Sequence, residues 1–221
     1  MHRLYIHPLP LRIWHWTNAL GMVILALTGI QIRYIGLIDL VSFKTAVTIH
    51  NYTGFVVIAN FCLWLLFHLF TAESRNYHAE LNPVKMFMGC LRQLVYYGYG
   101  MFKGLPNPFH IAKYKKFNPL QGLTYQIVMF VFVPLQIITG LLLWDITRFS
   151  KIVDFVGGVR VVDTVHVLIF TVIACYIPFH AYLATLGRTP MEHIKAMVTG
   201  YEDAEDEPAE KREETPAERK E

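Results

Sequence analysis

The sequence predicts an all-α membrane protein: a four-transmembrane-helix bundle with an interfacial helix between helices 2 and 3. The 221-residue chain is 54% hydrophobic and 17% charged, which is too apolar for an ordinary soluble domain of this size. Four segments without Asp, Glu, Lys or Arg are each long enough to cross a bilayer as a helix. They are Ile13–Ile32, Thr45–Ala72, Phe117–Trp144 and Thr164–Gly187.

The first span is expected at residues 11–33. Pro8 and Pro10 disfavour an earlier helix start, and Trp14 and Trp16 suit the aromatic belt of a membrane interface. Because the short segment before this span leads directly into a full-length helix, no cleavable signal peptide is expected.

The other spans are expected at residues 45–70, 118–144 and 162–186. Residues 83–103 mix aromatic side chains and Met with Lys and Arg, which favours an interfacial helix in contact with membrane lipid over a fifth span. The four-helix domain is therefore expected to occupy residues 1–200. Residues 201–221 are expected to be a disordered tail, because ten acidic and four basic residues after position 201 cannot form a core.

A weak internal repeat supports the four-helix count. The first and third spans both contain Thr-Gly, at Thr28-Gly29 and Thr139-Gly140, and the second and fourth both carry a His just inside their start. This pattern predicts two helical hairpins related by a pseudo-twofold axis along the membrane normal.

The distribution of Lys and Arg predicts the orientation. With both termini cytoplasmic, the inner side holds eleven Lys and Arg residues and the outer side holds five. Since cytoplasmic loops carry an excess of positive residues, both termini are expected in the cytoplasm.

Five histidines lie within the spans, in two layers. His166 and His180 are fourteen residues apart, so they leave the fourth helix within roughly 40° of each other and about 21 Å apart along its axis. His50 shares the outer layer with His166, whereas His15 and His68 share the inner layer with His180. Ionisable groups in membrane helices are usually functional, and His is a common axial ligand of haem. We therefore predict one b-type haem in each layer.

The inner partner of His180 has two candidates. His68 follows His50 by eighteen residues and faces the same way about 27 Å along the helix. His15 lies just after Arg12, a cation that would meet a haem propionate, and this favours His15. If His68 is not a ligand, it could bond a propionate or a quinone, or cap the helix end.

Other functional classes fit the sequence less well. The three cysteines are scattered and form no C-x-x-C-H motif, so any haem would be held without a thioether link. A transporter is expected to carry intramembrane carboxylates, which these spans lack. A haemless membrane anchor would leave the paired histidine layers unexplained, and no feature predicts nucleic-acid binding.

With these residues in view, the chain resembles the di-haem b-type cytochrome subunits of bacterial respiratory enzymes. This family includes the cytochrome b of nickel–iron hydrogenases, the gamma subunit of formate dehydrogenase and the cytochrome b subunit of thiosulfate reductase. The matching stretches are His7–Asn18, Leu27–Gly29, His50–Gly54, Phe117–Gln121, His166 and His180.

The resemblance implies His50 with His166 for one haem and His15 with His180 for the other. It implies the electron-transfer subunit of an oxidoreductase complex in the cytoplasmic membrane of a bacterium or archaeon. An iron–sulfur or multihaem subunit would dock on the outer face, and menaquinone or ubiquinone would react near the inner haem. Candidate quinone-site residues are Asn18, His68 and Gln126. A stand-alone di-haem reductase of the b561 type is the alternative, and the direction of electron flow and the partner stay open.

Overall fold

Four long helical spans dominate the computed structural model, which describes residues 2–71, 82–109, 117–186 and 189–204. The spans are α1 (Leu9–Arg33), α2 (Phe43–Phe70), a third span (Pro119–Trp144) and α7 (Val159–Leu183), and the short helix α6 (Ser150–Phe155) precedes α7. Their starts differ from those predicted by one to three residues. All four are long and apolar enough to cross a membrane, so the predicted all-α membrane fold is confirmed.

Polar caps fix where two of the spans begin. Ser42 Oγ accepts a hydrogen bond from the Thr45 backbone N–H at 3.2 Å, before the second turn of α2. At the third span Asn118 and Gln121 form a capping box, in which each side chain accepts the other residue's backbone N–H. Such caps satisfy amide groups that the first helical turn leaves without partners.

The third span is not a uniform α-helix. It consists of α4 (Pro119–Ile127), a π-helical turn (Val128–Phe132) and α5 (Val133–Trp144). Pro134 lies in the first turn of α5, where its missing N–H removes one bond of the α-helical pattern. The wider π-helical turn just before it accommodates this interruption.

The interfacial segment begins with α3 (Pro83–Val95), which continues as a π-helical turn and a 3-10 turn that ends at Lys103. Its exposed apolar side chains are suited to lipid contact; they are Val84, Phe87, Met88, Leu91, Leu94 and Val95. On the opposite face, a Cβ on Gly89 would lie 2.8 Å from Pro119 Cγ. Glycine therefore allows α3 to pack directly against the start of the third span.

The spans pack as two helical hairpins. Helix α1 packs mainly against α2, and α5 packs mainly against α7. The two hairpins meet through α2 and α5, and an ion pair between Arg33 and Asp163 at 3.9 Å joins the end of α1 to the start of α7. One buried cluster contains Leu11, Trp64, Met129 and Val133, and a second contains Leu142, Val153 and Val162.

The two ends of the described chain pair with each other. Strand β1 (His2–Tyr5) is antiparallel to β2 (Tyr201–Ala204), which follows helix α8 (Glu192–Thr199). The prediction of a tail disordered from residue 201 is therefore wrong for residues 201–204, because their backbone bonds to β1 and the Tyr5 and Tyr201 rings lie 5.1 Å apart. Residues 205–221 lie outside the described residues. The pairing places both ends on the same side of the bundle.

Candidate functional site

Histidines from different helices meet near both ends of the bundle. We call His50 and His166 the outer layer, because they lie towards the end remote from β1 and β2. We call His15 and His180 the inner layer, because they lie towards the end that carries the strands. The structure thus brings residues from both hairpins into each layer.

Contacts with the first span fix the ring of His50. Its Nδ1 lies 2.9 Å from Thr28 Oγ1, and the same hydroxyl donates its proton to the Ile24 carbonyl at 2.7 Å. The imidazole also bonds the Leu25 backbone carbonyl. Because the Thr28 hydroxyl uses its proton in the bond to the Ile24 carbonyl, its contact with His50 favours the tautomer in which Nδ1 carries the imidazole proton. Nε2 is then left with the lone pair that a metal requires.

His166 has the same arrangement in the second hairpin. Its Nδ1 lies 2.9 Å from Thr139 Oγ1, which donates to the Leu135 carbonyl at 2.8 Å. The ring also bonds the Gln136 backbone carbonyl. The side-chain amide of Gln136 lies 3.2 Å from His166 Nε2. This contact fits an unprotonated Nε2 that accepts the amide N–H.

The glycine of each Thr-Gly pair lets the histidine ring lie close to the helix backbone. A Cβ on Gly29 would be 3.4 Å from His50 Cε1, and one on Gly140 would be 3.3 Å from His166 Cε1. The sequence repeat therefore has a specific structural role, since each Thr-Gly pair positions the histidine of the next span. Sequence reasoning used Thr28 and Thr139 only to count helices and missed these contacts.

The inner layer is held by aromatic contacts. The rings of His15 and His180 lie 6.1 Å apart, with 49° between their planes. Tyr176 stacks on His180 at 5.6 Å, and its hydroxyl is 3.4 Å from His180 Nδ1. The buried Nδ1 of His15 makes no hydrogen bond with any residue that the structure describes.

His68, the other inner candidate, packs along its own helix. It is 6% exposed, and its Nδ1–H donates to the Trp64 carbonyl at 2.8 Å. Its ring lies 4.5 Å from the Trp64 ring. The ring contacts of His180 are instead with His15, Tyr125 and Tyr176.

The other predicted site residues also lie towards the inner end. The Arg12 guanidinium donates to the Val198 carbonyl, which ties the first turn of α1 to α8. Asn18 is half-buried one turn after His15, and Gln126 is half-buried next to Tyr125.

A cavity of about 400 Å³ lies between the start of α1 and the end of α2. Trp14, Asn60 and Trp64 line it, and the Asn60 amide donates to the Trp14 carbonyl at 3.0 Å. The His68 ring is tilted by 38° to the Trp64 ring, so His68 contacts an indole that also lines the cavity. Pockets of this size commonly bind small molecules.

Each layer offers two imidazoles, which is the number of axial ligands that a haem takes from a protein. Among the described residues no group of three or more His, Cys, Asp or Glu side chains could hold a metal. A tetrapyrrole needs only axial ligands from the protein. With metal–imidazole bonds of about 2 Å on either side, two ring centres lie roughly 6 Å apart, and the inner pair lies at 6.1 Å.

The chain is similar to cytochromes over most of its length. A family model described as prokaryotic cytochrome b561 matches residues 6–200. The Escherichia coli K12 protein named putative cytochrome YdhU is 34% identical over 204 residues, which cover 90% of this chain and 74% of that protein.

Two further relatives share one name, probable Ni/Fe-hydrogenase B-type cytochrome subunit. The protein from Cupriavidus necator is 26% identical, and the match covers 89% of this chain and 86% of the relative. The protein from Rhizobium leguminosarum bv. viciae is 25% identical, with 91% of each chain covered. No solved structure matches this chain.

Proposed function

This chain belongs to the prokaryotic cytochrome b561 family, and we propose that it is a di-haem subunit that passes electrons between a partner redox enzyme and membrane quinone. The predicted resemblance to hydrogenase b-type cytochromes is confirmed by the relatives, and the family implies a b-type haem.

The observation that carries the proposal is the pair of histidine layers at the two ends of the bundle. His50 and His166 would hold one haem, and His15 and His180 would hold the other. A bound haem supplies reversible one-electron chemistry between its two iron oxidation states. Two such sites at different depths suit electron transfer across a membrane better than chemistry at a single face.

The protein's own contribution is to orient the ligands and to exclude water. Thr28 and Thr139 keep the proton on Nδ1 of the outer histidines, so Nε2 is available as a ligand. At the inner end, the guanidinium of Arg12 lies one turn from His15 and supplies positive charge for a propionate. Its bond to the Val198 carbonyl holds that charge near the inner layer.

Quinone would react near the inner layer. Support comes from the cavity beside Trp14 and Trp64, whose indole rings lie 5.7 Å apart. Leu63, which also lines the cavity, is 65% exposed on a surface that the bilayer would cover, so a lipid-soluble molecule has access. The polar side chain of Asn60 lines this cavity, and His68 contacts Trp64 of its wall. Asn18, one turn after His15, and Gln126, next to Tyr125, are the other candidate polar residues for quinone.

The partner would dock at the outer end, with both termini cytoplasmic in the cytoplasmic membrane. The connectors at this end carry exposed apolar side chains, including Ile35 at 81%, Leu37 at 68% and Phe155 at 90% exposure. Such a surface suits a protein partner, and an iron–sulfur or multihaem subunit is the class that the resemblance implies.

Rapid mixing tests this function. The chemically reduced protein, purified in detergent, would be mixed with a short-chain menaquinone or ubiquinone analogue while the b-type absorption is followed. We expect oxidation that saturates with quinone concentration and slows in His68→Ala. The alternative, a stand-alone b561-type reductase, predicts instead that ascorbate reduces the protein rapidly without a partner. An oxidation rate that does not depend on the quinone concentration would contradict our proposal.

A further inference from the structure

The two histidine layers differ in the partners of their Nδ1 atoms. In the outer layer Nδ1 of each ring lies 2.9 Å from a threonine hydroxyl, and that hydroxyl donates its own proton to a backbone carbonyl of its helix, so it is placed to accept Nδ1–H. In the inner layer His15 Nδ1 has no partner among the described residues. The partner of His180 Nδ1 is a phenol at 3.4 Å, beyond the usual distance for a strong bond.

This difference has an electronic consequence for a bound metal. An imidazole that donates its second N–H to an oxygen becomes a more basic ligand. A more basic ligand stabilises the oxidised iron, which carries the higher positive charge, more than the reduced iron. Hydrogen bonding around the ligands is one of the means by which a protein sets the potential of haem.

We propose that Thr28 and Thr139 are positioning residues that lower the reduction potential of the outer haem below that of the inner haem. The inference rests on the proposed function, since it requires a haem in each layer. Two threonines on different hairpins would then act on the same outer haem. The resulting order makes electron transfer from the outer end to the inner end downhill, which favours entry from the partner and exit to quinone.

The competing explanation is that the threonines serve helix packing alone. Each hydroxyl bonds the carbonyl four residues earlier, as threonines within helices often do. Thr171 provides a matched control, because its hydroxyl bonds the Val167 carbonyl at 2.8 Å in α7 and its side chain is exposed. If the threonines serve packing alone, valine at position 28, 139 or 171 should leave the reduction potentials of both haems unchanged.

The test is spectroelectrochemistry of the full-length protein in detergent. Two variants show which of the two wild-type potentials belongs to which haem. His50→Ala should keep the haem with the higher potential, and His180→Ala should keep the haem with the lower potential. Thr28→Val and Thr139→Val should each raise the reduced-to-oxidised ratio of the lower-potential haem about tenfold at fixed ambient potential, or about 59 mV. The inner haem should not shift.

Thr28→Ser and Thr139→Ser keep the hydroxyl and should restore the wild-type potential, and Thr171→Val should leave both potentials unchanged. The inference is overturned if His50→Ala retains the lower-potential haem, or if the valine variants shift neither haem or both equally. Even if a valine variant loses haem, comparison of His50→Ala with His180→Ala still shows which haem has the lower potential. Absence of haem from the wild type would instead refute the proposed function itself.

Discussion

Glycine-to-alanine substitution at position 140 tests the contact between the third span and His166. An added Cβ would lie 3.3 Å from His166 Cε1, inside the usual carbon–carbon separation of about 3.5–4.0 Å. The ring must shift by a few tenths of an ångström, while Thr139 still holds its Nδ1 at 2.9 Å. The imidazole therefore tilts away from its position for ligation.

The expected cost is about 1 kcal/mol, at the low end of the penalties for overpacking. This corresponds to a roughly fivefold loss of haem affinity at the outer layer. Alanine also gains up to about 1 kcal/mol of helix propensity over glycine. Gly122→Ala is the matched control in the same span. It has the same gain in helix propensity but no contact with a histidine, because a Cβ at position 122 would meet nothing within 4 Å.

Competition with a soluble haem-binding apoprotein measures the relative affinity. We expect Gly140→Ala to release one of its haems about fivefold more readily than Gly122→Ala does. Gly29→Ala should behave similarly, because its Cβ would lie 3.4 Å from His50 Cε1. If Gly140→Ala and Gly122→Ala retain haem equally well, the proposed role of Gly140 in positioning His166 is wrong.

Two predictions concern the inner end of the bundle, which carries β1 and β2. The hydrogen bond and charge of Glu202, 3.0 Å from His193 Nδ1, raise the pKa of His193. Because the folded-state pKa is raised, this stabilisation is complete below the ordinary pKa of 6.5 and is lost as the pH rises through the raised value. The protection factors of the amides at residues 201–204, which correct for the intrinsic rise of hydrogen exchange with pH, should therefore fall across that window, but not in His193→Gln. Asn118→Ala removes the cap of the third span and should lower the free energy of unfolding by about 1 kcal/mol. The thermal unfolding midpoint should therefore fall below that of the control Asn82→Asp, in which an exposed cap keeps its capping oxygen.

Much of the fold follows from one-dimensional features of the sequence. Charge-free length is sufficient to locate the spans, and helical periodicity places His166 and His180 on one face. The strand at Tyr201–Ala204 was not predicted. The acidic composition of the tail indicates disorder, and the strand forms only by pairing four residues with a segment about 200 positions away. Such pairing has no local signal in either partner.

The site was less accessible to sequence reasoning than the fold. The Thr-Gly repeat was visible, but the contacts of Thr28 with His50 and of Thr139 with His166 span 22 and 27 positions. They depend on how the helices of each hairpin pack, which periodicity does not specify. The same reason left the choice between His15 and His68 open, whereas the structure brings His15 to within 6.1 Å of His180.

A haem count on four proteins tests whether the two histidine layers each hold one haem. Reduced-minus-oxidised spectra and pyridine haemochrome assays would be taken for the wild type, His50→Ala, His180→Ala and the control His68→Ala. We expect two haems b per chain in the wild type and in His68→Ala, and one haem in each of the other variants, with different spectra. Absence of haem from the wild type, or loss of the inner haem in His68→Ala, would contradict this expectation.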